Sequence, residues 1–514
     1  MKLEPVIGLE IHVQLKTKSK MFCGCSNEGE NEAPNTTICP VCLGHPGTLP
    51  VPNKQAIEWA VLAALALGCE IPPHSKFDRK HYFYPDLPKG YQISQFDEPI
   101  GVKGSMSIVI GGEERAIRIH RLHLEEDAAK LLHNEKGDSF VDYNRGGTPL
   151  MEIVTEADIR SPEEAGAFLR ELRLIMRYLG VSDADMEKGH LRCDANVSLR
   201  PMHSKNHPPT PSLVKEGEVL YPKTEIKNLN SFKAVERALV YEIKRQTAVW
   251  EETGNAPGEQ GTRGWDEDSA KTVVQRGKEG SADYRYFPDP DIPELDFDES
   301  WVARIKKGIP ELPRDLRQRF VQEYGFSAAD AKTFASDRAL ARFGEEVISE
   351  LKVWLTLLDP DQSSEEAWEQ DKKKLARLVS SWLLSKLLGV LRTAGSSIAD
   401  IKITPENMAE LITLVHQSRV NAANAQVILS EMVKTGGDPT DILESKDLGA
   451  MGDSGALPGI VAGVVKNNPL QAAEYGSGKK AVFQYFVGQV MKEARGKADP
   501  VLAAKLLKKA LKRQ

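Results

Sequence analysis

The sequence predicts an α+β N-terminal domain followed by all-α domains, and two contrasting patterns along the chain support this fold class. The first 295 residues or so are rich in glycine, proline and short alternating segments, which is typical of strands joined by turns with a few helices between them. From about Pro310, long stretches rich in Ala, Leu, Lys and Glu, such as Leu312 to Phe326 and Lys372 to Thr393, predict helices instead. With 514 residues, the chain has room for about three domains.

We place domain boundaries at two changes of pattern, which gives domains at residues 1–295, 296–402 and 403–514. The first boundary follows the change from strand-like to helical composition. The second precedes Thr404-Pro405-Glu406, where threonine is suited to cap a helix and proline to occupy its first turn. The predicted architecture is therefore one mixed domain and two helical domains.

The composition excludes membrane-spanning and fibrous classes of protein. Hydrophobic residues make up 41% of the chain and charged residues 27%, and no apolar run is long enough for a helix that crosses a bilayer. The N-terminus lacks the apolar core of a signal peptide, so we expect a cytoplasmic protein with no membrane partner. Because the net charge is −7, a nucleic-acid partner would have to bind a local basic surface.

Four of the six cysteines form two close pairs, which predict a structural zinc site. One residue separates Cys23 from Cys25, two residues separate Cys39 from Cys42, and a short loop joins the pairs. Four thiolates with this spacing can surround Zn²⁺ tetrahedrally, which leaves no open position for a reacting water. In the alternative interpretation, the cysteines are small buried residues whose spacing is incidental.

Two predicted strands carry polar residues on one face. From Ile7 to Leu15 the residues alternate strictly, so Glu10 and His12 project side by side, about 7 Å apart along the strand. Leu191 to Arg200 alternates equally well and has Asp194 on its polar face. For either strand alone, a solvated sheet surface explains the pattern as well as a binding site does.

A third strand-like segment ends in three consecutive acids, Glu125, Glu126 and Asp127. Adjacent carboxylates repel one another unless a cation or basic groups lie among them. Glu225 and Lys227 add another acid and a base further along the chain. Carboxylates and one histidine on neighbouring strands suit Mg²⁺, a hard cation that also binds substrate phosphates, so the pattern indicates a metal or phosphoryl site as one option.

A basic and aromatic loop, Asp78 to Gln92, lies between these strands. Its rings alternate with arginine and lysine, so it could stack on a nucleotide base and hold phosphates. A rigid loop whose aromatic side chains cap the core would have the same composition. The chain contains neither a P-loop motif nor the signature of an amidase nucleophile, so any hydrolysis that supplies nitrogen must take place on another protein.

Three further segments carry signals of other kinds. Met202 to Pro222 has no periodicity and predicts a flexible surface insertion, and Gly436 to Gly459 is rich in Gly, Asp and Ser and predicts a loop. Lys492 to Arg513 combines a helical pattern with an excess of lysine and arginine. Such a helix binds RNA through phosphates and shape, although an ordinary solvated C-terminal helix has the same pattern.

Five long motifs are specific enough to compare with known families. They are Val6 to Leu15, the residues within Phe77 to Gln95, Arg121 to Asp127, Asp142 to Val154, and Glu225 to Phe232. In this order they resemble the B subunits of the bacterial and organellar aspartyl/glutamyl-tRNA amidotransferases, the GatB family. The resemblance runs along nearly the whole chain.

The resemblance implies a cradle-shaped N-terminal domain built on an antiparallel sheet, a helical domain and a tail domain related to the YqeY proteins. It also implies a heterotrimer, in which an amidase subunit releases ammonia from glutamine and a small third subunit wraps the other two. The B subunit would bind tRNA charged with Glu or Asp, phosphorylate the side-chain carboxylate with ATP, and let ammonia displace the phosphate. Zinc would only brace the loop beneath the site.

The resemblance also implies roles for individual residues. Ligands of Mg²⁺ are expected at Glu10, His12, Glu125 and Glu225, with Asp194 as a weaker candidate. Glu126 and Lys80 would form a polar pair that governs arriving ammonia or a proton. Contacts to ATP or substrate are expected from Arg79, Tyr82, Tyr84, Lys89, Arg145 and Lys227. The tail would bind tRNA through Lys505, Lys508, Lys509, Lys512 and Arg513.

Two alternatives from other functional classes stay open at this point. A zinc-braced RNA-binding module without chemistry fits the cysteines and the basic tail, but it has no use for acidic residues that face phosphates. A metal-dependent phosphatase or nuclease fits the acidic residues, but it does not need a large helical C-terminal half. Within the leading hypothesis, the choice between glutamyl-tRNA and aspartyl-tRNA also stays open.

Overall fold

The computed structural model describes most of the chain, in the residues 2–134, 136–202, 221–257, 261–276, 284–358, 363–449, 456–477, 479–494, 497–498 and 500–511. The predicted insertion at 202–222 lies outside these residues except at its ends, and Lys512 and Arg513 also lie outside them. Contacts divide the chain into two units, Met1–Leu312 and Pro313–Gln514. The predicted boundary at residue 295 falls inside the first unit, and the division into three domains stays a prediction.

Within the described residues, the strands all lie in the first unit. They are β1 Leu3–Gln14, β2 His74–Ser75, β3 Asp78–His81, β4 Tyr91–Ser94, β5 Gly101–Ile110, β6 Glu113–Glu126, β7 Lys130–His133, β8 Ser139–Asp142, β9 Pro149–Thr155, β10 Leu191–Pro201, β11 Thr224–Leu229, β12 Gly261–Asp266, β13 Lys271–Arg276, β14 Phe287–Pro288 and β15 Leu295–Asp296.

The α-helices occur in both units. In the first unit they are α1 Lys54–Ala66, α2 Pro162–Leu179, α3 Phe232–Thr253 and α4 Glu299–Lys306. In the second they are α5 Pro313–Tyr324, α6 Ala328–Phe334, α7 Arg338–Leu358, α8 Ser364–Ser380, α9 Leu388–Ala394, α10 Pro405–His416, α11 Ala422–Thr435, α12 Pro439–Ser445, α13 Ala456–Asn467, α14 Pro469–Gly476, α15 Val482–Glu493 and α16 Pro500–Leu511. None of the described helices is both long enough and apolar enough to cross a bilayer.

An eight-stranded sheet organises the first unit, with the strand order β13-β12-β11-β10-β1-β9-β6-β5. Its pairs are antiparallel, as predicted, except for the parallel pair β11 and β12. Helix α3 lies between these two strands in the chain and returns it to the same end of the sheet, as a parallel pair requires. Strands β14, β3 and β4 form a separate three-stranded sheet.

The alternation along β1 separates a buried face of the sheet from a polar face. Leu9, Ile11 and Val13 are at most 1% exposed and belong to the main hydrophobic core. Helices α1, α2 and α3 contribute apolar side chains to the same core and so cover this face. Glu10 and His12 alternate with these residues and lie on the opposite face, as the sequence predicts. The opposite face is therefore the one on which a site can form.

Local signals fix the ends of the two long helices that cover the sheet. Ser161 and Ser231 cap α2 and α3 by accepting hydrogen bonds from backbone N–H groups three residues further on. Gly180 and Gly254 end the same helices, each with a φ of 72° that favours glycine.

The regular secondary structure of the second unit, within its described residues, consists of helices joined by loops. The predicted helix Leu312 to Phe326 corresponds to α5, and the predicted helix Lys372 to Thr393 corresponds to α8, a π-helical segment Ser381–Leu387, and α9. The predicted helix start at Thr404 is confirmed, because its side chain accepts a hydrogen bond from a backbone N–H in the first turn of α10.

The loop prediction for Gly436 to Gly459 is wrong in part, because this segment contains helix α12. Asp438 caps α12 by accepting two backbone N–H hydrogen bonds, and Pro439 occupies its first turn. The glycine and serine content of the segment as a whole concealed this short helix-start signal.

Candidate functional site

The polar face of the large sheet brings together side chains from four neighbouring strands. His12 on β1 pairs with Glu152 on β9, and Glu152 pairs with His123 on β6. On the other side of β1, Glu10 pairs with Asp194 on β10. Directly opposite positions on antiparallel strands place side chains about 5 Å apart, so these residues form a row across the sheet.

A cavity of about 420 Å³, which we call the large cavity, opens over this row. Its charged and aromatic lining consists of Glu10, His12, Lys80, Arg121, His123, Glu152, Asp194, Lys223, Glu225, Lys227, Tyr284 and Tyr286. A second cavity, of about 380 Å³, adjoins the first, because His12, Lys80, Asp194 and Lys227 line both. Glu125 lines the second cavity.

His12, Glu125 and Glu152 form a compact group, in which one ligand atom from each lies within 4.8 Å of the others. The Nε2 atom of His12 lies 3.5 Å from a carboxylate oxygen of Glu125 and 3.7 Å from one of Glu152. Two carboxylates and an imidazole suit a hard divalent cation whose remaining positions take water or phosphate oxygens. These residues therefore fit Mg²⁺.

Buried His123 faces the same two carboxylates and completes a cluster of four side chains, His12, His123, Glu125 and Glu152. Its Nε2 atom lies 3.0 Å from Glu152 and 3.8 Å from Glu125. Burial alone would lower the pKa of His123, but the negative charges of Glu152 and Glu125 raise it to about 9. Burial would likewise raise the pKa of Glu152, but His123 and His12 lower it below its usual range. A cationic imidazole therefore balances part of the carboxylate charge at neutral pH.

Lys227 joins two of the predicted magnesium ligands, Asp194 and Glu225. Its Nζ atom lies 2.6 Å from Asp194 and 3.2 Å from Glu225. Burial would lower the pKa of Lys227, but Asp194 and then Glu225 raise it. The ammonium group of Lys227 is therefore an internal counterion at the wall of both cavities.

Glu10 also has a hydrogen-bond partner within the protein, because the Asn196 side-chain amide donates a hydrogen bond of 2.8 Å to its carboxylate. Of the five predicted magnesium ligands, the structure thus groups His12 and Glu125. It adds Glu152 to them and distributes Glu10, Asp194 and Glu225 around the large cavity. The assignment of ligands stays a prediction.

Lys80 lies among aromatic rings at the wall shared by the two cavities. Its Nζ atom is 5.0 Å from the ring centroid of Tyr284 and 5.7 Å from that of Tyr82. Burial would lower the pKa of Lys80, but Glu125 in particular raises it. Lys80 therefore stays cationic and faces the rings with a favourable cation–π geometry.

Glu126 and Lys80 line different cavities, and their joint role toward arriving ammonia or a proton stays a prediction. Glu126 forms an ion pair with Lys89 and accepts a 3.1 Å hydrogen bond from the Ile93 backbone. It lines a third cavity, of about 240 Å³. Because successive side chains of a strand alternate, Glu125 points to the other side of β6. Periodicity along one strand could not indicate the contact with Lys89, which comes from a different segment.

The predicted substrate contacts are divided between the cavities and other parts of the molecule. Tyr82 and Lys227 line the cavities next to His12. Arg79 is held by two aspartates at 2.8 Å each, and Arg145 donates two 2.9 Å hydrogen bonds to backbone carbonyls. Tyr84 is 54% exposed and does not line the large cavity. Tyr82 and Lys227 are thus the two of these residues that lie next to the cluster.

The four cysteines predicted to bind zinc converge, and their sulfur atoms lie within 4.8 Å of one another. All are free thiols in the structure and are partly buried. A hydrogen bond with Cys23 makes the largest contribution to lowering the pKa of Cys42, which falls to about 5. A closed set of four sulfurs fits Zn²⁺ in a structural role. Zinc binding itself stays a prediction.

The basic residues predicted to bind tRNA lie on α16 as far as the structure describes them. Lys505, Lys508 and Lys509 are exposed, whereas Ala503 and Leu507 are fully buried in a small core of the tail. The helix therefore has one basic face and one apolar face.

Glu152 and His123 are the residues of the cluster that the sequence analysis missed. Glu152 lies in Pro149–Thr155, a strand whose other residues are mostly buried and apolar. A single acid in such a strand is an available signal, because an ionised side chain there needs a partner. His123 follows His120 in a strand rich in charged residues, and its partner cannot be identified without the strand register.

Comparisons with known proteins agree along the whole chain. Residues 5–303 match the family model described as the GatB/GatE catalytic domain, and residues 364–511 match one described as the GatB domain. The B subunit of the aspartyl/glutamyl-tRNA(Asn/Gln) amidotransferase of Brevibacillus brevis is 45% identical over 511 residues, or 99% of each chain. The proteins of the same name from Dehalococcoides mccartyi and Thermomicrobium roseum are 46% and 44% identical over 514 residues, again covering 99% of each chain.

Proposed function

The chain belongs to the GatB family of amidotransferase B subunits, and from that premise we propose that it converts glutamate or aspartate attached to tRNA into the corresponding amide. ATP first phosphorylates the side-chain carboxylate, and ammonia then displaces the phosphate. The observation that carries the proposal is the group of His12, Glu125 and Glu152 between two adjoining cavities. Phosphoryl transfer requires such a site, in which charge is neutralised and two reactants are held close together.

The proposed reaction has two steps. In the first, a carboxylate oxygen forms a bond to the γ-phosphorus of ATP while the bond from that phosphorus to the β-phosphate oxygen breaks, and ADP leaves. In the second, ammonia attacks the acyl carbon, the bond from that carbon to the phosphate oxygen breaks, and phosphate departs with the electron pair. The nitrogen then loses a proton. Activation is necessary because an unmodified carboxylate has no good leaving group.

Within the cluster, His12, Glu125 and Glu152 would bind Mg²⁺. Glu10, Asp194 and Glu225 are further candidates for Mg²⁺ ligands. When bound, Mg²⁺ neutralises charge on the nucleotide's phosphate oxygens. Lys80, Arg121 and Lys223 add positive charge to the lining of the large cavity and would attract the same oxygens.

Two features support the proposed partners. The chain lacks the signature of an amidase nucleophile, so ammonia would come from a separate amidase subunit, with a small third subunit completing a heterotrimer. The exposed lysines of α16 would bind the phosphates of the tRNA. The enzyme would act in the cytoplasm, where charged tRNAs are found. A zinc-braced RNA-binding module without chemistry is not retained, because the carboxylates line a cavity instead of an open RNA-binding surface.

The test of the chemistry compares Glu152→Gln with a matched control. The assay contains the complete complex, ATP, Mg²⁺ and tRNA charged with glutamate or aspartate, with ammonium chloride as an alternative nitrogen source. We expect Glu152→Gln to slow amide formation about a hundredfold or more with either nitrogen source. Glu156→Gln is the control, because Glu156 also pairs with a histidine, His120 at 3.0 Å, but outside the cavity. Equal rates for the two variants would refute the proposed site.

The test of the tail measures tRNA affinity at two salt concentrations. We expect the double variant Lys505→Ala/Lys509→Ala to bind tRNA several-fold more weakly and to show a smaller dependence on salt. Rates with saturating tRNA should change little, because these lysines lie in the helical unit and the cluster lies in the other. Unchanged affinity and unchanged salt dependence would refute tRNA binding by this face.

A further inference from the structure

Lys20 is fully buried beside the cysteine cluster, although lysine is almost never fully buried unless its charge is paired. Its Nζ atom lies 4.0 Å from the sulfur of Cys42 and donates a 3.2 Å hydrogen bond to the carbonyl of Tyr143. Among the residues that the structure describes, no carboxylate lies within 4.0 Å of this ammonium group. Cys42 is therefore the group that can present a negative charge to Lys20.

The surrounding structure fixes the position of Lys20. The backbone N–H of Lys20 donates a 3.0 Å hydrogen bond to the carbonyl of Cys25. The Asn53 side chain donates a 3.2 Å hydrogen bond to the backbone carbonyl of Lys20. Gly147, at a φ of 86°, lies against its aliphatic stem, and a Cβ atom at that position would come within 3.4 Å of the stem. The backbone of Lys20 is therefore held in place and its stem is packed, so the fully buried ammonium group stays beside the sulfur of Cys42.

We propose that Lys20 is the counterion of a metal–thiolate unit formed by Cys23, Cys25, Cys39 and Cys42, and that it strengthens the binding of Zn²⁺ there. Zn²⁺ with four thiolates has two excess negative charges, and the ammonium group reduces the excess to one. Uncompensated charge is costly in a partly buried site, so the metal and Lys20 stabilise each other. The proposal rests on the predicted zinc site, and its test needs neither ATP nor tRNA.

The first experiment measures the zinc affinity of the full-length protein by competition with a chromophoric chelator. We expect Lys20→Met and Lys20→Gln to weaken zinc binding about tenfold or more, as substitutions beside metal ligands do. Glutamine can still donate a hydrogen bond to Tyr143, so an effect shared by both variants isolates the charge. The control is Lys16→Met, because Lys16 is half-exposed and pairs with Asp183 at 2.9 Å.

A second experiment tests whether charge is the cause. Cys42→His replaces one thiolate with a neutral ligand, so the metal unit then has one excess negative charge instead of two. In that background we expect Lys20→Gln to weaken zinc binding clearly less than it does in the native sequence. An equal effect in both backgrounds would overturn the proposal, as would native zinc affinity in both Lys20 variants. A native protein that holds no zinc would refute the predicted zinc site and this proposal together, while the proposed enzymatic function would stand.

Discussion

Two buried carboxylate networks in the first unit differ in how completely the protein satisfies them. Glu242 on α3 is 0% exposed and receives hydrogen bonds from three side chains. Arg245 donates to both of its oxygens at 2.6–3.1 Å, Gln246 donates at 3.0 Å, and Thr272 on β13 donates at 3.0 Å. This network attaches a covering helix to the sheet and faces none of the three cavities around β1 and β6.

Glu125 is almost as deeply buried, at 3% exposed, but its partners are fewer and longer. It accepts a 3.3 Å hydrogen bond from the Ser94 hydroxyl, and His12 and His123 lie 3.5 and 3.8 Å away. Glu152 lies in the same group, so like charges are close together beside a cavity. The hydrogen bonds of Glu242 therefore stabilise the fold, whereas Glu125 has room to bind a further ligand.

The largest effect should come from Glu125→Gln, and it should fall on activity and spare stability. We expect amide formation to fall about a thousandfold, because a neutral amide is a poor ligand for Mg²⁺ and cannot offset the charge of a bound cation. The metal-free protein should unfold within about 1 kcal/mol of the native sequence, because the substitution keeps the shape and removes one of two repelling charges. Amide formation and denaturant unfolding, measured on the same preparations, test both expectations. A loss of stability as large as that of a Glu242 variant would erase the distinction between the networks.

The next largest effect should come from Glu242→Gln, and it should fall on stability. The substitution leaves the Arg245 guanidinium without its anion, and breaking a buried pair in this way costs about 3 kcal/mol. Amide formation per folded molecule should stay near the native rate. Denaturant unfolding monitored by tryptophan fluorescence measures the loss. Glu251→Gln on the same helix is the matched control, since Glu251 is exposed and its substitution should change stability by less than about 0.5 kcal/mol.

Features of the fold and the site that depend on a local sequence pattern could be predicted from the sequence. Strict alternation along β1 placed Glu10 and His12 on one face, which follows from geometry within a few residues of chain. The spacing of the cysteines predicted their convergence, because a short loop joins two close pairs. Glu152 was missed because its strand is buried and mostly apolar, so periodicity singles out no polar face.

Contacts between distant segments could not be predicted in this way. Glu126 and Lys89 are brought together by the packing of β6 against a loop. The alternation of residues within one segment does not show which residues of another segment it contacts. The parallel pairing of β11 with β12 has the same origin, since it depends on the path of α3 between them. The fold class was therefore predictable from composition and periodicity, whereas the grouping of charges at the site required the strand register.

The smallest expected effect is a pH dependence that belongs to the Glu242 network. Burial would raise the pKa of Glu242, but hydrogen bonds from Arg245 and Gln246 lower it below its usual value of 4.5. Since the pKa is lower in the folded state than in the unfolded state, the network's contribution to stability is present above pH 4.5 and is lost as the pH falls through the folded-state value. The difference in unfolding free energy between the native protein and Glu242→Gln should therefore be constant from pH 6 to pH 7 and should shrink below pH 4.5. Urea unfolding at a series of pH values measures it. A difference that stayed constant into acid would mean that the Glu242 carboxylate titrates alike in both states, and that its hydrogen bonds do no more than cancel the effect of burial on its pKa.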